Sequence, residues 1–350
     1  MKDMLADGAG DQVILATGGY DHSIRLWQAH SGLCQRTLQH ADSQVNVLEI
    51  TPDRQHIAAG GYQHIRTYDI NSTNTNPVIN YEGLGKNVTA LGFHEDGLWM
   101  YSGGEDFSAR IWDSRARAQT CQRVFETNAP VNCACLHPNQ CELFIGDQSG
   151  SIYVWDLRTN HNEQLTLDLD VSVQHLDIDS SGQYMAAIDN KGMCYLFLLG
   201  SGSDSQMSSP ERLLKFVAHK RYGLKCRFSC DSELLATSSA DTTACVWRVS
   251  DLLASSEDSG PPERLVRRSS SQSSTSTRAW NLADTLPVSK MTNVNQRWVW
   301  DIAFSYDAQF LITASSDTVA RLWSVSPAEV KREYSGHQKA LTALAFRDSA

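Results

Sequence analysis

Two sets of side chains in this sequence have the residue types of a nucleophilic triad: His219, Thr237 and Asp241, and, from opposite ends of the chain, Thr17, Asp21 and His337. A hydroxyl linked through an imidazole to a carboxylate is the arrangement that activates serine and threonine nucleophiles for acyl transfer. The set recurs, however, and each copy is followed by a tryptophan, Trp27 or Trp247, at the same spacing from its threonine. A nucleophile would not be duplicated in this way, whereas a buried structural network of hydroxyl, imidazole, carboxylate and indole N–H would. Cys133 and Cys135 share a strand face, but Cys-x-Cys without a second ligand pair is expected to fill a core rather than bind zinc. His137-Pro138-Asn139 reads as a turn after a strand. Arg267-Arg268-Ser269-Ser270 has the form of a basophilic kinase site with Ser270 as acceptor, set against an unmodified solvated linker as the default. No P-loop, zinc-ligand ladder, nucleophile elbow or paired-carboxylate constellation occurs, so no enzyme activity, metal or cofactor is expected.

The elements that would position these residues are legible as a repeat. Seven copies of one phrase end in an aromatic: LATGGYDHSIRLW at Trp27, IAAGGYQHIRTY at Tyr68, MYSGGEDFSARIW at Trp112, LFIGDQSGSIYVW at Trp155, MAAIDNKGMCYLF at Phe197, LATSSADTTACVW at Trp247 and LITASSDTVARLW at Trp323. The first four intervals, by subtraction of residue numbers, are 41, 44, 43 and 42 residues. That period, with Trp-Asp closing two copies at Trp112-Asp113 and Trp155-Asp156, marks a WD-repeat β-propeller. The expected fold is therefore all-β: a seven-bladed propeller over about residues 11–348 of a single-domain chain. Such a ring is a binding platform before it is anything else.

Composition agrees. Hydrophobic residues at 41% and charged residues at 20% are those of a soluble globular protein, and no apolar run reaches the roughly 18–20 residues of a membrane span. The nine cysteines, an odd number lying mostly in strand patterns, and an N-terminus without a secretory signal point to an intracellular chain with free thiols, in which the sequons at Asn71 and Asn87 stay unused. A net charge of −10 disfavours nucleic acid as a partner.

Each repeat parses as four strands, with inner strands at VNVLEI from Val45, VTALGF from Val88, VNCACL from Val131, VSVQHLDI from Val171, LKCRF from Leu224, VWDIAF from Val299 and LTALAF from Leu341. The first repeat has no such strand before Leu15, so the last one is expected to complete the first blade and close the ring. Two intervals are long, 50 residues from Phe197 to Trp247 and 76 from Trp247 to Trp323. The second holds a serine-rich insertion at about 255–283, too polar to bury a core and expected to be disordered. Leu286–Met291 is expected to be the outer strand of the sixth blade, with the insertion leaving from the bottom of the ring.

Alignment of the inner strands puts Gln44, Asn87, Pro130, Ser172, Tyr222, Trp298 and Ala340 at equivalent positions on the top rim. Strand alternation then adds Asn46 beside Gln44 and Trp300 beside Trp298. Aromatics on a wet rim are the commonest interface hot spots, so Gln44, Asn46, Tyr222, Trp298 and Trp300 are the expected partner-binding residues. The competing reading packs one of the two tryptophans into the channel or against a neighbouring blade.

Strings in loops and turns as well as strands, among them ATGGYDHSIRLWQAHSG, GGEDFSARIWD, CLHPNQ, GDQSGSIYVWDL, ASSDTVARLW and KREYSGHQKALTALAF, resemble the small WD-repeat subunits of the target-of-rapamycin kinase complexes, the G-protein β-subunit-like proteins. The resemblance spans nearly the whole chain except its first ten or so residues and roughly 255–283. It implies a noncatalytic scaffold that binds and stabilises the catalytic domain of the kinase in both of its complexes. It further implies roles in nutrient and growth-factor signalling and cytoskeletal control, in the cytoplasm and, with the complex, at the lysosomal surface. The alternative from another class is a WD-repeat substrate receptor of a ubiquitin ligase, which would need an adaptor-binding element outside the ring.

Overall fold

The computed structural model describes residues 13–115, 121–200, 210–257 and 286–348. Among them are seven four-stranded antiparallel sheets, arranged as the blades of a propeller. Blade 1 is assembled from both ends of the chain: the strand Leu341–Arg347 lies innermost, followed outward by Ile14–Gly19, Ser23–Trp27 and Cys34–Gln39. Leu344 pairs with Thr17 and Phe346 with Leu15, so the expected closure is present and blade 1 has four strands like the others. Blades 2 to 7 begin with the inner strands Val47–Ile50, Val88–Phe93, Val131–Leu136, Val173–Ile178, Gly223–Phe228 and Val299–Phe304.

The core lies between blades, which is what ties the ring together. Ala16 and Ile24 of blade 1 pack with Leu48, Ala59 and Tyr68 of blade 2, and Leu15 and Trp27 pack with Ile312, Leu322 and Tyr334 of blade 7. Small and large residues interlock at these seams. A Cβ on Gly18, Gly60, Gly103 or Gly146 would approach the valine leading the next blade's inner strand, Val45, Val88, Val131 or Val173, to within 2.6–2.8 Å. Between blades 5 and 6 the sizes are exchanged, with Ile188 filling the space over Gly223. Volume is conserved at the seam, as a close-packed interior demands.

Blade 6 departs from the expected boundaries. Its outer strand is only Ser289–Met291, because Leu286 and Val288 are exposed and make no ladder with Ala244–Arg248. From the bottom of that third strand a helix, Val249–Glu257, docks Val249 and Leu252 against Leu214 and Phe216 of blade 5. The serine-rich segment overlaps this helix at 255–257, and the rest of it, with the proposed acceptor Ser270, lies outside the described residues. All nine cysteines are free thiols, and no described helix is long and apolar enough to cross a membrane.

Candidate docking face at the mouth of the channel

The two triad-like sets are formed and fully engaged. In blade 1 the Trp27 indole donates to Thr17 Oγ1 at 2.7 Å, Thr17 lies 2.8 Å from His337 Nε2, and His337 Nδ1 lies 2.8 Å from Asp21 Oδ2. In blade 6 Trp247 donates to Thr237 at 3.0 Å, and His219 bridges Thr237 at 2.9 Å and Asp241 at 3.1 Å. Both threonine hydroxyls are completely buried, so no substrate reaches them. Burial opposes the Asp21 carboxylate, but the Gln338 N–H and the His337 ring hold it below its ordinary value. Burial in turn pushes the His337 imidazole down. Each set is a strut joining the outer loop to the third strand.

The inner strands place the informative residues. In six of the seven blades the strand starts with a bulge, so that Thr342, Thr89, Asn132, Gln174, Leu224 and Trp300 are extra residues without a ladder partner. A bulge re-aims a side chain. These six, with Asn46 of blade 2, line one basin of about 260 Å³ at the top of the central channel. Simple alternation, which placed Trp300 beside Trp298 on one face, therefore needs correction: Trp298 is 40% exposed on the rim, whereas Trp300 is half-buried and lines the mouth. The rings still touch, with centroids 5.6 Å apart and planes tilted by 43°.

Around most of the mouth, ring residues are spent on neighbouring blades. Thr342 donates to Val45 O; Asn46 donates to Asn87 Oδ1 at 3.4 Å; Thr89 donates to Val131 O and Asn132 to Val173 O, each at 2.7 Å. Gln44 donates to the same Asn87 oxygen at 3.2 Å, and Asn87 donates to Glu105 at 2.9 Å. This girdle runs from blade 1 to blade 5. It stops there: Gln174 turns back to Ser172 at 3.0 Å, and blades 6 and 7 present Leu224 and Trp300. Of the expected binding residues, the basin unites Gln44, Asn46 and Trp300, with Trp298 in tilted ring contact with the last. Tyr222, 53% exposed, leads blade 6 beside Leu224 but does not line the basin.

Sequence reasoning missed the girdle and the charged throat beneath it. The girdle residues are the second of each inner strand, a signal that was present in the aligned strings. Lower in the channel, Glu49, His175, Lys225, Arg227 and Asp301 converge with Tyr101, Cys133 and Cys135. Burial opposes the Arg227 charge, yet Asp177, 3.2 Å away, with Glu49 and Asp301, more than offsets it. Burial raises the Glu49 carboxyl, lowers His175 well below the usual imidazole range, and lifts the Cys133 and Cys135 thiols to about 12. Those thiols stay protonated near neutrality and are poor nucleophiles, and among the described residues no group of three His, Cys, Asp or Glu side chains could hold a metal ion.

Comparison with known proteins now bears on this arrangement. The WD domain, G-beta repeat, matches residues 75–113, 119–156, 211–248 and 288–324. The chain is 54% identical over 339 residues to the target of rapamycin complex subunit LST8 of Bos taurus, covering 97% of this chain and 96% of that protein. The chain belongs to the LST8 family. Within the family it is 45% identical over 342 residues to the LST8 homolog of Drosophila melanogaster, covering 97% of this chain and 98% of that protein. To LST8 of Saccharomyces cerevisiae it is 42% identical over 240 residues, covering 68% and 78%. Among solved structures, the Cps50 (Swd1) β-propeller domain of Myceliophteria thermophila superposes with a TM-score of 0.65 at 14% identity, over 86% of this chain and 89% of that one. That likeness speaks to fold alone. Each matched repeat of this LST8-family chain begins with the outer strand of one blade and ends in the third strand of the next, the same offset that closes the ring.

Proposed function

We propose that this chain is the noncatalytic WD-repeat subunit that binds and stabilises the catalytic domain of the target-of-rapamycin kinase in both of its complexes. In that role it supports nutrient and growth-factor signalling from the cytoplasm and, with the complex, at the lysosomal surface. The observation that carries the reading is the break in the girdle. At blades 6 and 7 the mouth offers Leu224, Trp298 and Trp300 where the other blades offer amides and hydroxyls already spent on hydrogen bonds. An apolar, aromatic arc left free of internal bonds is the composition of an interface hot spot. The names of the relatives, subunits of target-of-rapamycin complexes, support a component of that complex as the partner. Affinity purification at moderate salt with mass spectrometry of the eluate tests the reading: the kinase co-elutes with the wild-type chain and is lost with a folded Trp298→Ala variant. Recovery of ubiquitin-ligase adaptors in place of the kinase would assign the chain to the other class.

A further inference from the structure

We propose that the partner surface received by this face is acidic, its carboxylates meeting a cluster of five cations over blades 6, 7 and 1; the inference rests on docking at the top of the ring. Lys220 and Arg221 precede the inner strand of blade 6 and Lys225 lies within it, Arg297 precedes that of blade 7, and Lys339 precedes that of blade 1. All but the half-buried Lys225 are exposed, and the five side chains make no ion pair or hydrogen bond among the described residues. Lys225 reaches both the basin and the throat, where Glu49 and Asp177 feel its charge without touching it.

The carboxylates on the same arc are already committed. Asp21 lies 2.8 Å from His337, Asp241 lies 3.1 Å from His219, and Asp317 lies 2.7 Å from the buried Arg321 guanidinium. On the far arc, over blades 3 to 5, Asp147 and Asp189 are buried and hydrogen-bonded and Asp168 is paired to Lys215, so the accessible charges there are of both signs, Glu105 and Asp170 with Lys86 and Lys191. One face of a chain with net charge −10 thus gathers exposed cations around its exposed aromatics, while the opposite arc carries charges of both signs. Four exposed cations without an ion pair among the described residues, with Lys225 at the mouth, raise the positive potential of this arc, which is relieved when carboxylates arrive. A nucleic acid or a flat anionic membrane would meet the field of a chain whose net charge is −10, whereas a protein surface can be acidic over one arc only.

The test uses the full-length chain and the purified kinase, with association rates measured at about 50 and about 300 mM salt, concentrations that bracket a large change in screening. Reversal of three charges, Lys220→Glu with Arg221→Glu and Arg297→Glu, is expected to slow association on the order of tenfold or more at the lower salt and to flatten the salt dependence, with unchanged thermal melting. Reversal on the far arc, Lys86→Glu with Lys191→Glu, is expected to leave the rate within about twofold, as a rim charge outside the contact should. If Trp298→Ala releases the kinase while the triple reversal binds at wild-type rate and salt dependence, docking stands and the acidic partner is refuted. If neither variant changes binding, the docking face itself is wrong. Duplex DNA or phosphatidylserine vesicles that bind the wild type and not the triple reversal, with kinase binding untouched, would assign the cations to phosphate and overturn the proposal.

Discussion

The two arcs of the channel mouth are built from the same strand position and put to opposite uses. From blade 1 to blade 5, Thr342, Asn46, Thr89 and Asn132 each reach across to the next blade. At blades 6 and 7, Leu224 and Trp300 reach to nothing polar among the described residues, and Trp298, its ring tilted against Trp300, extends their apolar surface outward. A buried polar group that is satisfied stabilises the fold, while an exposed apolar one is satisfied only by a partner. The girdled arc therefore holds the ring, and the open arc leaves the ring incomplete in a way that a second protein can finish.

The largest break in this comparison removes the closure on which both arcs depend. Truncation after Gly336 deletes His337 and the strand Leu341–Arg347, which strips blade 1 of its innermost strand and the girdle of Thr342. The expected result is an unpaired sheet edge and aggregation, read by light scattering and size exclusion. A monomeric truncation with unchanged melting would falsify the closure argument.

On the open arc, Trp298→Ala is expected to cost about 2 kcal/mol or more of binding, a loss of roughly thirtyfold or greater in affinity for the kinase, with melting unchanged. Gln44→Ala is expected to weaken binding less, because its amide is partly spent on Asn87. Titration calorimetry beside thermal melting separates the two effects. Wild-type capture by folded Trp298→Ala would show that the open arc is not where the partner sits.

The girdled side carries an acid sensitivity of its own. His40 is fully buried at the seam of blades 1 and 2, 3.1 Å from the Tyr68 hydroxyl and 3.2 Å from the His64 ring. Burial, with the charges of His64, Arg66 and His22 behind it, pushes His40 down to about 3. The native state therefore keeps it neutral while the unfolded chain takes up a proton below its ordinary value of 6.5. Stability is full above that value and lost as pH falls toward 3, at about 1.4 kcal/mol per pH unit for one proton. Denaturant melts between about pH 6 and pH 4 should show that slope, and His40→Gln should reduce it. An unchanged slope in the variant would place the acid sensitivity elsewhere.

The smallest expected effects come from exchanging the arcs. Asn132→Leu gives blade 4 the residue type of blade 6 and is expected to cost about 1 kcal/mol of stability by removing its bonds to Val173 O and Ser172 Oγ, with kinase binding intact. The reciprocal Leu224→Asn should leave melting nearly unchanged and weaken binding a few-fold. Equal effects of the two on binding would mean that the arcs do not divide the work.

Much of this was legible in the sequence, and the reason lies in the repeat. Four of the seven copies bury a tryptophan beside a threonine or serine ten residues earlier, so Thr17 with Trp27 and Thr237 with Trp247 could be paired by spacing alone. The missing strand before Leu15 likewise required one from the other end, and Leu341–Arg347 supplies it. Trp300 was harder. Its direction depends on a bulge imposed by pairing with Phe310–Ser315, and period-two alternation carries no trace of one. The helix Val249–Glu257 was missed because its serines and acidic residues read as the start of the insertion, while Val249 and Leu252 gain their burial only from blade 5.

Local periodicity and composition thus determined the number of blades, the closure through both chain ends and the two buried tetrads, because these follow from turn chemistry, alternation and fixed spacing within one repeat. Only the tertiary structure decided which residues share the mouth of the channel, where the girdle ends, and how charge divides between the arcs. Those properties join residues such as Asn46, Lys225, Trp300 and Thr342, whose separation along the chain carries no information about distance until the ring has closed.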